Sequence, residues 1–176
     1  MEEIRIPKER ISVLIGKYGK EKKELEKATN TKIEIDTKDN IVTIRSDDSI
    51  NLFNAKPIIK AIARGFNPDI AELLLDEDYI LEIIDIQDFS GKSKKKFIRL
   101  KSRCIGEDGK ARKNVEDMTN TNISIYGKTV SIIGKINDVG IARSAIEELL
   151  RGAPHGNVYR RIDVRKRSNK DNSIES

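Results

Sequence analysis

The sequence repeats itself. Residues 15–35, IGKYGKEKKELEKATNTKIEI, return as residues 105–125, IGEDGKARKNVEDMTNTNISI, with an offset of 90 throughout. Gly16 and Gly19 match Gly106 and Gly109, and Lys20 and Lys23 match Lys110 and Lys113. Glu26 matches Glu116, Thr29-Asn30-Thr31 matches Thr119-Asn120-Thr121, and Ile33 and Ile35 match Ile123 and Ile125. Apolar alternation follows in both copies, and both close on Arg-Gly (Arg64-Gly65 and Arg151-Gly152). A chain of 176 residues built this way folds as a tandem of two small units, each with its own core.

Hydrophobic period assigns the elements of one unit. Residues 3–6 alternate as a strand, and Pro7 ends it and opens a helix over 8–15. Gly16–Gly19 breaks that helix. A second helix runs from Lys20 to about Thr29, with Leu25 and Ala28 inward and Lys22, Lys23, Glu26 and Lys27 toward water. Strands over 32–37 and 41–45 pair around a turn at Lys38-Asp39-Asn40. A long helix then reaches Arg64, with Pro57 expected to kink or break it near Lys56. The second copy repeats the order, with strands over 79–86, 122–126 and 129–134 and helices over 93–104, 110–118 and 136–150. The expected fold class is therefore α/β (α+β), each unit β-α-α-β-β-α with a three-stranded sheet packed on helices. The expected division is 1–68, an acidic connector with a short helix over 69–78, a second unit with a helical extension over 79–165, and a disordered tail over 166–176.

Composition narrows the function. One cysteine, Cys104, excludes an internal disulfide and Cys-cluster zinc. One histidine, His155, excludes multi-His metal sites, and its place beside Pro154 suits a cap or surface role. Trp is absent and aromatics make up 5%, so stacking on an aromatic sheet is not the main binding mode. No apolar run approaches ~18 residues, and the opening MEEIRIPKER has no signal-peptide stretch; a cytoplasmic protein with no membrane association is expected. No nucleophile–base pair stands out, so neither an enzyme nor a cofactor is expected. Residues 69–90 hold 8 acidic and no basic side chains, a net charge of −8. A metal site there lacks a fixed second ligand beside Asp85; solvation, or docking of a basic partner, suits it better. Residues 1–68 carry +3 and residues 91–176 carry +10, so a polyanion is drawn to the two ends.

The paired glycines carry the functional reading. Without Cβ atoms, Gly16, Gly19, Gly106 and Gly109 let a sugar-phosphate chain lie against the backbone. The helix that follows offers free N–H groups and a positive dipole end. Lys20, Lys23, Lys110 and Lys113 stand on its first turn. Ile33, Ile35, Ile123 and Ile125 would floor a narrow groove suited to a single strand of about four nucleotides. The loops differ in charge: Lys17 and Tyr18 can meet phosphate and base in the first, whereas Glu107 and Asp108 oppose phosphate in the second. Arg103, Lys110, Arg112 and Lys113 offset that pair, so the first loop is expected to make the stronger direct contact. Lys92, Lys94–Lys96, Arg99, Lys101 and Arg103 form a candidate phosphate rail into the second loop.

The whole pattern resembles the type I KH domain of nucleic-acid-binding proteins. The tandem arrangement, with Arg-Gly-Phe-x-Pro at 64–68 and Arg-Gly-x-Pro-His-Gly-x-Val-Tyr at 151–159, resembles the small-subunit ribosome assembly family called "partner of Nob" over residues 3–165. The resemblance implies binding near the 3′ end of small-subunit rRNA, with the alpha subunit of a translation initiation factor or the endonuclease Nob as a protein partner. It also implies that the second domain is the main RNA reader, a role that the Glu107-Asp108 pair opposes. A different class of function is a protein-interaction adaptor, with one unit docking a protein instead of RNA.

Overall fold

The computed structural model describes residues 1–174. The chain divides into two compact units, Met1–Tyr79 and Ile80 onward.

In the first unit, β1 (Glu2–Arg5), β2 (Lys32–Asp36) and β3 (Ile41–Arg45) form a sheet in the order β1-β3-β2, antiparallel throughout. Helices α1 (Lys8–Ile15), α2 (Lys20–Thr29) and α3 (Ser49–Ala63) bury Ile11, Leu14, Leu25, Ile58, Ile59 and Ile62. The strand residues Ile4, Ile33, Val42 and Ile44 complete that core. Asp48 caps α3 by accepting from the Ile50 N–H. Helix α3 runs unbroken through Pro57, so the expected break near Lys56 does not occur. The carbonyl that loses its partner belongs to Phe53, which is exposed to water. Ala28 is exposed rather than inward; Thr29, one residue on, takes the buried position. The acidic segment is part of this unit: α4 (Pro68–Ala71) and a 3₁₀ turn, Glu72–Leu75, pack on α3.

In the second unit, β4 (Tyr79–Asp85), β5 (Asn122–Tyr126) and β6 (Thr129–Lys135) form a sheet in the order β4-β6-β5. Helices α6 (Lys94–Ile105), α7 (Lys110–Thr119) and α8 (Ile136–Leu150) repeat α1, α2 and α3. The short α5 (Gln87–Ser90) has no counterpart in the first unit. Helix α9 (His155–Ile174) packs on α7 and α8 through buried Val158 and Ile162. Arg161 and Arg165 both reach Glu148 on α8, at 2.7 and 2.9 Å. Residues 166–174, expected to be disordered, continue this helix, because no glycine or proline follows Gly156 to stop it. The rest of the expected disordered tail, residues 175–176, lies outside the described residues.

The Thr-Asn-Thr repeat is a helix stop. Asn30 and Asn120 take left-handed φ values of 51° and 53°. Thr29 Oγ1 donates to the Leu25 carbonyl and meets Thr31 Oγ1 at 2.8 Å, and Thr119 does the same with Val115 and Thr121. Glu26, half-buried rather than free in water, accepts from the Ile33 N–H at 2.7 Å, and Glu116 accepts from the Ile123 N–H at 2.8 Å. Each carboxylate ties the second helix of its unit to the strand that follows.

Candidate nucleic-acid interface

The two Gly-x-x-Gly loops adopt one backbone. Gly16 (φ 70°, ψ −179°), Tyr18 (55°, 27°) and Gly19 (74°, 18°) match Gly106 (75°, 177°), Asp108 (53°, 29°) and Gly109 (75°, 11°). Three of four loop residues thus hold positive φ, and in each loop one of them carries a side chain. A left-handed Tyr or Asp costs about 1–2 kcal/mol. Both units keep this turn although its middle residues differ.

The glycines of each pair have separate tasks. A Cβ on Gly16 would stand 2.2 Å from Glu21 Cγ and 3.0 Å from the Glu21 nitrogen. One on Gly106 would meet the Ala111 nitrogen and Cβ at 2.6 Å. The first glycine is therefore needed for the loop to fold back on its own next helix. A Cβ on Gly19 would meet nothing within 4 Å, and one on Gly109 only Arg112 Nη2 at 3.9 Å. Gly19 and Gly109 leave open space outside the loop.

The cations divide as well. Lys17, Lys20, Lys23, Lys110 and Lys113 are exposed. Tyr18 is 91% exposed, with Lys17 Nζ 5.5 Å from its ring centre. Lys20 makes one loose surface pair with Glu24 at 3.7 Å, worth little in water. Arg112 gives both Glu116 oxygens a 3.0 Å hydrogen bond from Nη1 while Nη2 stays near Gly109. Arg112 thus braces the fold and lines the loop together, and Lys22 makes the matching pair with Glu26 at 3.1 Å.

Three expected contacts are corrected. Ile33 and Ile123 are 1% and 4% exposed and lie in the cores beneath the surface; only Ile35 and Ile125 are partly open to a ligand. Arg103 does not face a free phosphate path: Nε donates to the Leu149 carbonyl at 3.1 Å and Nη2 to that of Ala153, closing the end of α8. In the first unit Arg10 does the same, donating to Ile62 and Phe66. Lys101 also leaves the expected rail, since it donates to the Gly127 carbonyl at 2.8 Å. His155 Nε2 donates to the Arg103 carbonyl at 2.9 Å, anchoring the start of α9. Cys104 is fully buried, and burial pushes its thiol up to about 12, which removes it from thiolate chemistry.

Family comparisons agree with this geometry. A KH-domain family model matches residues 1–61, and one described as "Eukaryotic type KH-domain (KH-domain type I)", for the second domain of PNO1, matches residues 80–167. A KH domain-containing protein of Methanocaldococcus jannaschii is 45% identical over 93% of this chain and 73% of its own length. The chain belongs to the tandem type I KH-domain family of the Pno1 and Dim2 proteins. Its KH domains are the two units described above, and their loops are the Gly-x-x-Gly motifs of that fold. The Pre-rRNA-processing protein pno1 of Aspergillus fumigatus is 30% identical over 89% of this chain, which spans 64% of that protein. Among solved structures, Dim2p of Pyrococcus horikoshii in a complex with a/eIF2alpha and rRNA is 44% identical, with a TM-score of 0.86, over 95% of this chain and 94% of that one. No helix among the described residues is long and apolar enough to cross a membrane.

Proposed function

We propose that this chain binds single-stranded rRNA near the 3′ end of the small-subunit RNA during ribosome assembly and processing, and acts as a binding factor rather than an enzyme. The observation that carries it is the open space outside Gly19 and Gly109, each flanked by exposed lysines at the start of a helix. A phosphodiester fits there against the loop and the helix N–H groups, and Ile35 or Ile125 meets a base edge. Gly16, Gly106 and the buried Ile33 and Ile123 shape this groove from within. The pre-rRNA-processing relatives and the Dim2p–rRNA complex support the choice of RNA. The same complex supports the alpha subunit of an initiation factor as the protein partner.

The first loop makes the stronger phosphate contact. Lys17 stands where Glu107 stands in the second unit, on the same backbone, and a unit charge ~4 Å from a phosphate is worth roughly 1–4 kcal/mol at or near a surface. Titrating a labelled single strand against the charge variants tests this order. Lys17→Glu should weaken binding, and Glu107→Lys/Asp108→Lys should tighten it. Unchanged affinity in the second variant at moderate salt would take the second groove off the RNA path.

A further inference from the structure

The 90-residue offset of the loops conceals an insertion. Ile6 N–H donates to the Asn40 carbonyl and Ile86 N–H to the Lys128 carbonyl, so these residues are equivalent and are 80 apart. Between them and their loops, the second unit carries ten more residues than the first: Ile86 to Gly106 against Ile6 to Gly16. The extra chain forms α5 and lengthens the first helix from 8 residues in α1 to 12 in α6.

This insertion builds a cavity of about 550 Å³ between α5, α6 and the end of α8. Its volume lies within the ~300–1,000 Å³ range of small-ligand sites. Lys96, Arg99, Arg103 and Arg151 line it with Phe89 and Leu100, and no carboxylate does. Lys96, Arg99 and Arg103 fall at i, i+3 and i+7 on one helix face. None of the ion pairs found among the described residues uses Lys96 or Arg99. Arg151 lies over the Phe89 ring at 5.5 Å and meets Glu147 only at 3.9 Å. At the end of α8 the Glu147 and Glu148 carbonyls accept from backbone N–H groups, and Arg103 holds the carbonyls of Leu149 and, just beyond the helix, Ala153, which would otherwise repel an anion.

We propose that this cavity is a second nucleotide site, taking the phosphate of a ribonucleotide between Lys96 and Arg99, with its base against the Phe89–Arg151 stack. The nucleotide comes either from the bound strand beyond the groove or from a free nucleotide. The strand source rests on the RNA-binding reading above. Lys96 lies ten residues before Gly106, about 15 Å along the helix, so a strand longer than the groove can reach it.

The test uses the full chain and the variant Lys96→Ala/Arg99→Ala, both positions exposed and outside the loops. The probes are a four-nucleotide strand, a twelve-nucleotide strand and GMP. If the strand fills the cavity, the variant binds the twelve-mer about tenfold more weakly and the four-mer unchanged. If a free nucleotide fills it, GMP binds the parent chain and not the variant. Equal affinities of parent and variant for all three probes would overturn the cavity site. Binding of the four-mer reports on the groove alone, so the two readings fail separately.

Discussion

The two glycines of the second loop should respond to alanine in opposite ways. Gly106 combines φ 75° with ψ 177°, a region essentially confined to glycine, where a side chain costs roughly 1–3 kcal/mol. Its new Cβ would also meet the Ala111 nitrogen and Cβ at 2.6 Å. The nitrogen is backbone and cannot swing aside, and such overpacking adds about 1–3 kcal/mol. Gly109 is left-handed with open space around it, so alanine there carries only the ~1–2 kcal/mol of its φ. Taking the low end of each range, Gly106→Ala should therefore be about 1 kcal/mol less stable than Gly109→Ala. For a unit of this size that is roughly 4–8 °C in Tm. RNA affinity should follow the reverse order of directness. Gly109→Ala should weaken strand binding while the fold persists, whereas any loss in Gly106→Ala should track unfolding. Calorimetry and fluorescence anisotropy on the same samples measure both. Equal Tm values for the two variants would refute the division of labour between the glycines.

Other outcomes follow from the same contacts. Arg103→Ala removes two charged hydrogen bonds, to the Leu149 carbonyl, which keeps the Gly152 N–H, and to the Ala153 carbonyl, and should cost about 1.5–3 kcal/mol in urea unfolding. Arg103→Lys should not restore it, because one ammonium cannot reproduce the guanidinium fork. Burial opposes ionisation of Glu148, but Arg161 and Arg165 outweigh it and hold the carboxyl below its ordinary 4.5. A lowered folded value means stability that is present above about pH 4.5 and lost as pH falls through the folded value. Thermal scans from pH 7 downward should show Glu148→Gln converging on the parent chain in acid and falling below it at neutral pH.

The repeat made the fold legible because what it repeats is mostly folding machinery. The left-handed Asn30 and Asn120, the Thr pairs and the Glu26 and Glu116 braces all recur because each unit must stop its second helix and start its next strand at the same place. The loops were legible for the same reason, although glycine spacing alone could not separate the inward task of Gly16 and Gly106 from the outward one of Gly19 and Gly109. The equivalence of Arg10 and Arg103 is hidden in the sequence because they are 93 positions apart, about one helical turn out of step with the loops, yet both close the long helix. An arginine near a glycine loop reads as a phosphate ligand until its acceptors are seen. Alternation put Ile33 and Ile35 on one face but could not say that Ile33 sits beneath the surface and Ile35 at its edge. Helix α9 is tied to α8 by Glu148 meeting Arg161 and Arg165 across 13 and 17 residues, pairings that no local pattern displays.

Adding charge at both open glycines is the most direct trial of the account. Aspartate takes left-handed φ, as Asp108 does, so Gly19→Asp/Gly109→Asp should leave both units folded at a cost of about 1–2 kcal/mol per site while placing a carboxylate where each phosphate would lie. Anisotropy titration with a labelled single-stranded oligoribonucleotide should show the parent binding, with a log–log salt slope near about −3 for some four phosphates. The folded double variant should lose that binding. A folded double variant that takes up the strand as the parent does would contradict the claim that RNA lies against these loops.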